Sequence, residues 1–542
     1  MIRGGAILVA AAVCVLAVPA GAQSQNARRV TVAPYVEVGQ VLNADLNGGD
    51  VLTYTSAAVG VDAVVSTARV SGQASYRYER RFGWNKDIGD DDIHNGLARV
   101  AVKLAPALVL EAGGLATRAR TDIRGAAPTP IDARATNLSQ VVSVYGGPSY
   151  ARQVGAVALA ADYRIGYTQV GTPNGGSVAP GVPRLDYYSD SLSQQATARA
   201  ALAPNTVLPV GLSASGGYAR EDAGQLDALY EGANLRGDAL MPISATVALT
   251  AGAGYERIET SQRSPLVTAA GLVVLDTSGR FVTDPASPRR IAYRTDGLYY
   301  DAGVVWRPNR RTSLAARAGK RYGTASFTGS ASYQSPRGLG LRIDVYDGIQ
   351  TFGQQLRQSL QALPTNFVPT TNVAGQQFNG CVFGVAGDAP GGCLSNVFQS
   401  ITTASYRSRG VNGVLVMQRG RSTFGAGAGY SRRKLFAPNA TPGIVTTGAD
   451  DESWYGQVSY ARALNAVSGI NANALANYYH SELRGADDVL SVGGTLSYYH
   501  VFGRLQTTAT AGVYRADAGR GTATGLAAAL SAQALLSARY TF

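Results

Sequence analysis

The chain is poor in charged residues and in the side chains that most enzymes use. Only 15% of its 542 residues are charged, compared with about 25% in an average soluble domain. It contains three His, which leaves few candidates for a general base. We therefore expect a protein that is not an enzyme, and we predict no cofactor or metal site.

Long apolar runs are also missing after the N-terminus. No later stretch approaches the ~18 apolar residues that a transmembrane helix needs. The 45% share of hydrophobic residues is too high for a disordered chain, and the 65 Gly and 22 Pro are too few for a low-complexity one. A membrane protein of this composition can only be a closed β-barrel.

The N-terminus has the pattern of a secretory signal. Arg3 supplies a positive charge, residues 6–18 form an apolar run, and Ala20-Gly21-Ala22 is a small-residue cleavage pattern. We predict a cleaved signal peptide over residues 1–22. The exported chain keeps Cys381 and Cys393, which we expect to form a loop disulfide in an oxidising compartment, the alternative being two free thiols.

Apolar residues alternate with small or polar ones along nearly the whole mature chain, which is the period of a β-strand with two different faces. In residues 324–334, Ala325, Phe327 and Tyr333 share one face, and the other face carries only Ser, Thr and Gln. Residues 68–79 and 243–256 show the same division. A soluble β-sandwich or propeller also alternates, so this period alone does not identify a membrane barrel.

Three further features favour a membrane barrel. Many segments reach the ~9–11 residues that a tilted transmembrane strand needs, and Tyr recurs at their ends like an interfacial girdle. The chain ends with Tyr540 and Phe542, and this ending resembles the C-terminal assembly signal of bacterial outer-membrane barrels. That resemblance implies an outer-membrane location, with membrane lipid and the barrel-assembly machinery as partners.

The turn pattern predicts the architecture. We count about 22 strands, within a range of roughly 18 to 24, in residues 23–542. An even number places both termini in the periplasm, with short periplasmic turns and long outward loops near 259–290 and 351–399. Because the first strand begins near Val30, we predict no plug domain. The predicted fold class is all-β, a single closed antiparallel transmembrane β-barrel.

A resemblance to a known family adds to this prediction. Residues 304–333 contain Trp306-Arg-Pro-Asn-Arg-Arg-Thr-Ser-Leu and then Ala318-Gly-Lys-Arg-Tyr-Gly. Together with the opening Val32-Ala-Pro-Tyr-Val-Glu-Val-Gly-Gln, they resemble a family of outer-membrane barrels associated with PEP-CTERM and exosortase loci. Members of that family lie beside exopolysaccharide genes. The resemblance therefore implies a barrel that supports exopolysaccharide export, and it implies no catalytic residue.

The water-facing positions carry the candidate lumen residues. A basic-leaning wall would favour anionic solutes, while the same side chains could instead form salt bridges that brace the barrel. On the same face, Tyr346, Tyr455, Tyr479 and Tyr499 could stack on sugar rings or fill space. The predicted lumen-facing set is Arg69, Arg77, Arg99, Lys103, Arg164, Arg317, Arg321, Arg342, Asp162, Asp344 and Glu256.

Three functions are consistent with these features. The first is an outer-membrane pore or export conduit for exopolysaccharide or an anionic solute, either open or gated by the loop from Thr351 to Gln399, with anionic polysaccharide and periplasmic export components as partners. The second is a structural or adhesive barrel whose loops bind matrix polysaccharide. The third and weakest is a hydrolase that uses Asp92 and His94, which a solvated acidic loop explains better. The positive charge is dispersed, so we predict no nucleic-acid partner.

Overall fold

The structure is a computed structural model. It describes residues 29–84, 91–123, 137–172, 186–368, 378, 380–385, 389–438, 446, 448–483, 486, 488–518 and 529–542. The predicted signal peptide, residues 1–22, lies outside the described residues. The described residues contain no helix with the length and hydrophobicity needed to span a membrane.

The alternating segments form a 22-stranded antiparallel sheet. Consecutive strands pair along the chain, and the last strand returns to pair with the first, for example Val38 with Ala538, so the sheet closes into a ring. The wall strands are β1 (Arg29–Asp45), β2 (Val51–Ser66), β3 (Val70–Gly83), β4 (Asp91–Ala105), β5 (Leu108–Arg120), β6 (Leu138–Val154), β7 (Val157–Val170), β8 (Asp190–Leu202), β9 (Gly211–Ala223), β10 (Ala228–Pro242), β11 (Val247–Gln262), β12 (Arg290–Asn309), β13 (Thr312–Arg321), β14 (Thr324–Gln334), β15 (Leu339–Gln350), β18 (Ser405–Arg419), β19 (Ser422–Phe436), β20 (Asp450–Ala463), β21 (Ser468–Ser481), β22 (Val489–Phe502), β23 (Leu505–Ala518) and β24 (Ala529–Thr541).

The period of two separates an apolar outside from a polar inside. In β1, Val36 and Val38 face outward and are 40% and 57% exposed, whereas Tyr35 and Glu37 between them are buried on the inner face. The outer surface carries many exposed apolar residues, such as Leu298, Leu235 and Leu536. This division matches a barrel with a lipid-facing exterior.

The connections differ between the two ends of the ring. The end at which β1 begins and β24 finishes carries short turns, such as 155–156, 310–311 and 420–421, and we call it the turn rim. The opposite end, which we call the loop rim, carries long connections such as 263–289 and 351–404. A short 3-10 turn at Gln225–Asp227 also lies at the loop rim.

The connection between β15 and β18 is folded. It begins with α1 (Phe352–Ala362), whose first turn is capped by the Thr351 side chain accepting from the Gln354 backbone N–H. It also contains a small hairpin of β16 (Cys381–Phe383) and β17 (Gly391–Cys393), joined by a disulfide between Cys381 and Cys393. We call the described residues of this connection, 351–368, 378, 380–385 and 389–404, the insert.

The insert lies inside the ring and forms the largest apolar core of the molecule. Phe352, Leu356 and Leu360 recur every four residues on one face of α1, and they are fully buried among inward-facing wall residues that include Leu97 and Val141. The hairpin packs on the opposite part of the wall, where the disulfide touches Val414, Val416 and Tyr455. At Gly427 a Cβ atom would lie only 2.7 Å from the Cys393 sulfur, so glycine is needed for this close approach.

The predicted fold class is therefore wrong in one respect. The wall consists of β-strands, and the insert adds an 11-residue helix because its apolar residues there are spaced by four and not by two. A barrel without a plug was predicted, with a long outward loop near 351–399, but the insert folds into the lumen. The sheet closes, and the chain supplies its own plug from an internal connection.

Candidate functional site: a lumen closed by the insert

The insert reaches from one rim of the barrel to the other. At the loop rim, the Thr351 hydroxyl donates to Glu221 near the end of β9, at 2.5 Å. Close to the turn rim, the Phe367 N–H donates to Gln73, near the start of β3, at 2.9 Å. Because these contacts lie at opposite ends of wall strands, the insert obstructs the lumen over its whole height.

Polar contacts also tie the insert to both sides of the wall. On one side, Arg357 of α1 donates to Ser193 and Gln195 of β8 at 3.2 and 2.7 Å. On the other side, Gln457 of β20 accepts from the Cys381 N–H at 2.7 Å. The insert therefore crosses the lumen as well as descending through it.

Arg433 of β19 makes the densest of these contacts. Its guanidinium donates to the carbonyls of Asn396, Val397 and Ser400 at 2.5, 2.8 and 3.0 Å. It also donates to Gln355 of α1 at 2.6 Å, and the Arg433 side chain is completely buried. Hydrogen bonds to a charged group contribute about 1.5–3 kcal/mol each. One wall residue thus holds the last part of the insert and its helix together.

The returning end of the insert contacts the loops that carry Thr121, Asp186 and Gln225 at the loop rim. We call these loops the lid. The Ile401 N–H donates to the Thr121 carbonyl at 2.9 Å, and the Thr403 N–H donates to the Asp186 carbonyl at 3.4 Å. Gln225 donates to the Asp186 carboxylate at 2.5 Å. Burial raises the pKa of Asp186 to about 7, although hydrogen bonds from Thr403 and Gln225 act in the opposite direction.

A charged network lines the wall between β10 and β13. Arg236 and Arg317 lie between Asp238 and Asp301: Arg236 contacts Asp301 at 2.6 Å, and Arg317 contacts Asp238 at 2.6 Å and Asp301 at 3.2 Å. The two positive and two negative charges balance. Arg321 and Glu256 form a further pair at 2.7 Å.

A pocket of about 200 Å³ lies beside this wall and the insert. Tyr230, Glu256 and Arg321 line it from the wall, and Gln358 lines it from α1. Its surface mixes hydroxyl, amide and charged groups with apolar atoms, which suits a ligand with several polar groups.

Most of the predicted lumen residues lie on the inner face and are ion-paired. Arg164 contacts Glu111 at 2.9 Å and Asp162 at 3.7 Å, and Arg342 contacts Asp344 at 2.7 Å. Arg77 pairs with Glu79, and Arg99 donates to the Leu360 carbonyl of α1. By contrast, Arg69 and Lys103 are exposed at the turn rim. Where charged wall side chains form ion pairs in this way, they brace the barrel instead of presenting free positive charge.

Sequence analysis missed several of the residues that organise this site. Arg236 and Asp238 were overlooked although they alternate with period two on β10, which was a usable signal. Arg433 was assigned no role because the partners that define it belong to the insert, and the sequence did not show that the insert turns inward. Of the predicted inner tyrosines, Tyr346 accepts from Asn396 of the insert at 3.2 Å, and Tyr455 packs on the disulfide.

The hydrolase candidates lie on the outer face and have separate partners. Asp92 accepts from Tyr78 at 2.7 Å and from Arg80 at 3.1 Å, while His94 contacts the Tyr76 hydroxyl at 2.7 Å. Within the part of the chain that the structure describes, no group of three His, Cys, Asp or Glu side chains could hold a metal ion.

Comparisons with known proteins give structural similarity only. No family model and no curated protein sequence matches the chain. The FrpB iron transporter from Neisseria meningitidis (F5-1 variant) is 11% identical, with a TM-score of 0.43, over 94% of this chain and 82% of that one. The siderophore receptor PirA from Acinetobacter baumannii is 9% identical, with a TM-score of 0.43, over 95% and 81%. The ferric-catecholate import receptor Fiu from E. coli K12 is 10% identical, with a TM-score of 0.43, over 94% and 81%. Similarity at this level does not assign the cargo of those proteins to this chain.

Replacing Arg433 should release the end of the insert. In Arg433→Met, the carbonyls of Asn396, Val397 and Ser400 lose a buried donor, at a cost of about 1–3 kcal/mol for each unsatisfied group. We expect hydrogen exchange in residues 396–404 to accelerate by about tenfold or more. Arg432→Met is the matched control, because Arg432 is half exposed and pairs with Asp450. Equal exchange in the two variants would show that Arg433 does not hold the insert.

The lid should loosen as the pH rises. Because burial raises the pKa of Asp186 to about 7 from an ordinary value near 4, the closed lid favours the protonated carboxyl. Closure is therefore most stable below about pH 4 and weakens as the pH rises through 7. Hydrogen exchange in residues 396–404, corrected for its intrinsic pH dependence, should be faster at pH 8 than at pH 5. Asp186→Asn should abolish that difference and the exposed control Asp276→Asn should keep it; a difference that survives in Asp186→Asn would contradict the assignment.

Proposed function

We propose that the protein is an outer-membrane transporter whose lumen is closed by its own insert and opens when the insert moves. The observation that carries this proposal is the position of the insert, which obstructs a closed 22-stranded ring from rim to rim. A ring of this size is too wide for wall side chains to fill, so a passage exists whenever the filling moves.

The two sides of the insert suggest how it opens. Helix α1 is held by apolar contacts, since Phe352, Leu356 and Leu360 are buried against the wall. The returning end that Arg433 holds is buried in the same apolar core, through Val397, Phe398 and Ile401. The hairpin packs in a smaller, separate cluster on β18 to β20 and is tied there by Gln457. In this mechanism α1 and the returning end stay on the wall, while the hairpin separates from it and opens a path.

The membrane placement follows from the outer surface and the predicted signal peptide. The outward faces are apolar along the strands, and aromatic residues such as Trp306 and Phe542 are exposed on them. Short turns are typical of the periplasmic end of such barrels, so the turn rim, with the start of β1 and the end of β24, faces the periplasm in this proposal.

The wall chemistry bears on the solute. Arg236 and Arg317 are balanced by Asp238 and Asp301, so this part of the wall is polar without a strong excess of charge. Such a surface suits a hydroxyl-rich solute better than one selected by charge alone. We therefore propose a polar saccharide as cargo. The resemblance to PEP-CTERM and exosortase barrels supports exopolysaccharide in particular.

Removing the hairpin should open the pore. Replacing residues 381–393 with a short Gly-Ser linker deletes β16, β17 and the disulfide but keeps α1 and Arg433. In planar bilayers we expect the complete protein to conduct little and the variant to show a large, steady conductance. Replacing the exposed loop tip 268–272 with Gly-Asn is the control and should leave conductance low. A folded deletion variant that remains silent would overturn the transport proposal and favour a structural or adhesive barrel.

Lumen charge should set ion selectivity in the opened variant. Because Arg321 and Glu256 pair at 2.7 Å, removing either one leaves the other uncompensated in the passage. Under a salt gradient, Arg321→Gln should shift the reversal potential toward cation preference, and Glu256→Gln should shift it toward anion preference. Arg220→Gln, on the outer face, should have no effect. Shifts of the same sign in both lumen variants would contradict the assigned passage.

A further inference from the structure

The wall of the barrel is interrupted between β14 and β15. Among the described residues, the register of these two strands runs only from Gly329 paired with Val345 to Gln334 paired with Gly340. Beyond it, residues 324–328 of β14 remain paired with β13, and residues 346–350 of β15 remain paired with β18. We call the half of this seam that is nearer the loop rim open because it lacks ladder pairing, and the buried side chains of Arg407 and Asp347 lie along it.

The interruption lies beside a tight turn. Tyr322 and Gly323 form a two-residue turn with φ values of 53° and 74°, and the hairpin of β13 and β14 ends there while β12 continues past it. By its register with β14, β15 ends level with Thr324. Thr324 stands about ten residues above the turn-rim end of β14. At roughly 3.3 Å per residue and a tilt near 40°, this is ~25 Å, about the height of the apolar band of a membrane barrel. The open part of the seam thus lies in the outer half of the membrane.

Side chains take over some of the missing sheet contacts. Arg409 of β18 reaches past β15 to donate to the Thr324 hydroxyl at 2.8 Å and to the Ala325 carbonyl at 3.4 Å. From across the lumen, the Tyr230 hydroxyl donates to the Ile349 carbonyl at 3.2 Å. An open sheet edge in lipid is costly unless polar partners cover it, so the seam requires polar groups at this height.

The pocket of about 200 Å³ lies directly behind the open seam. Arg321 and Tyr322 line it from one flank, and Gly348 to Gln350 line it from the other. A Cβ atom placed on Gly348 would meet nothing within 4 Å. The pocket is thus bounded by the two strand ends between which the wall is open.

The outer flanks of the seam are amphipathic. Arg407 and Arg409 share a single carboxylate, that of Asp347, at 2.6 and 3.4 Å, and the Arg409 side chain is 43% exposed. This leaves one excess positive charge near the loop rim. Closer to the middle of the barrel, Phe327 is 61% exposed and Val345 37%. The charge therefore stands at headgroup height, above an apolar surface.

We propose that this seam is a lateral binding site for an anionic lipid, whose headgroup enters the pocket from the membrane. The phosphate contacts Arg409, the polar remainder of the headgroup occupies the space beside Tyr230 and Glu256, and the acyl chains lie on Phe327. The order of these groups from rim to centre is that of a lipid in the outer leaflet. The inference rests on the membrane placement proposed above, and it does not require the insert to open.

Lipid retention tests the site. Native mass spectrometry of the complete protein, loaded with either phosphatidylglycerol or phosphatidylcholine, should show preferential retention of one phosphatidylglycerol. Gly348→Trp fills the pocket and should abolish this preference. Arg409→Gln should weaken retention roughly fivefold, since one cation near a membrane surface contributes about 1 kcal/mol. Gly456→Trp, where a Cβ atom also meets nothing, and Arg220→Gln, on the outer face of β9, are the matched controls.

Three results would overturn the site: equal retention of the two lipids, unchanged retention in both Gly348→Trp and Arg409→Gln, or equal loss in the controls. Heat-modifiable migration establishes that each variant is folded, and Arg409→Gln remains informative if the tryptophan variant does not fold. The conductance of the hairpin deletion is measured separately. A silent barrel with lipid preference would overturn transport alone, whereas a conducting barrel without preference would overturn the lipid site alone.

Discussion

Closure of the sheet is the constraint on which the rest of the molecule depends. β24 returns to β1, so the wall has no first or last edge strand that must be covered from outside. A ring of 22 strands encloses more space than its inward side chains can fill. That space must hold water or chain, and here the connection between β15 and β18 occupies it.

The insert is held by two kinds of interaction, and their difference gives the closed state its character. Burial of Phe352, Leu356 and Leu360 is hydrophobic and independent of direction, so it anchors the helix firmly. Arg433 holds backbone carbonyls by directional hydrogen bonds that water can also provide. The segment that Arg433 holds also buries Val397, Phe398 and Ile401 in the core around α1, so its hydrogen bonds add direction to an apolar attachment.

The charged residues of the wall serve first to satisfy one another. Arg236, Asp238, Asp301 and Arg317 form one balanced group, and Arg321 with Glu256 forms another. Buried charges are tolerated only when they are paired. A count of inward arginines therefore overstates the positive potential of the lumen. The open seam between β14 and β15 differs, because Arg407 and Arg409 share the single carboxylate of Asp347.

The sequence by itself determined which side chains face inward. Period-two alternation places Arg317, Arg321 and Glu256 on one face of their strands whatever their partners are, because successive side chains of a strand point to opposite sides. The sequence also predicted a disulfide between Cys381 and Cys393, because these two cysteines remain after the predicted signal peptide. Even α1 had a readable signal in Thr351 and in the four-residue spacing of Phe352, Leu356 and Leu360, which the surrounding alternation obscured.

Only the tertiary structure decided what fills the ring and where the wall is open. Arg433 meets Asn396 because the insert turns inward, and that turn depends on the combined burial of α1 against β4 to β7 and of the hairpin against β18 to β20. The seam depends on where the pairing of β14 with β15 stops, which is a property of register across the sheet. Local pattern sets the direction of a side chain. Contacts between residues distant in sequence arise only when the whole ring closes, because closure determines which inner faces oppose each other.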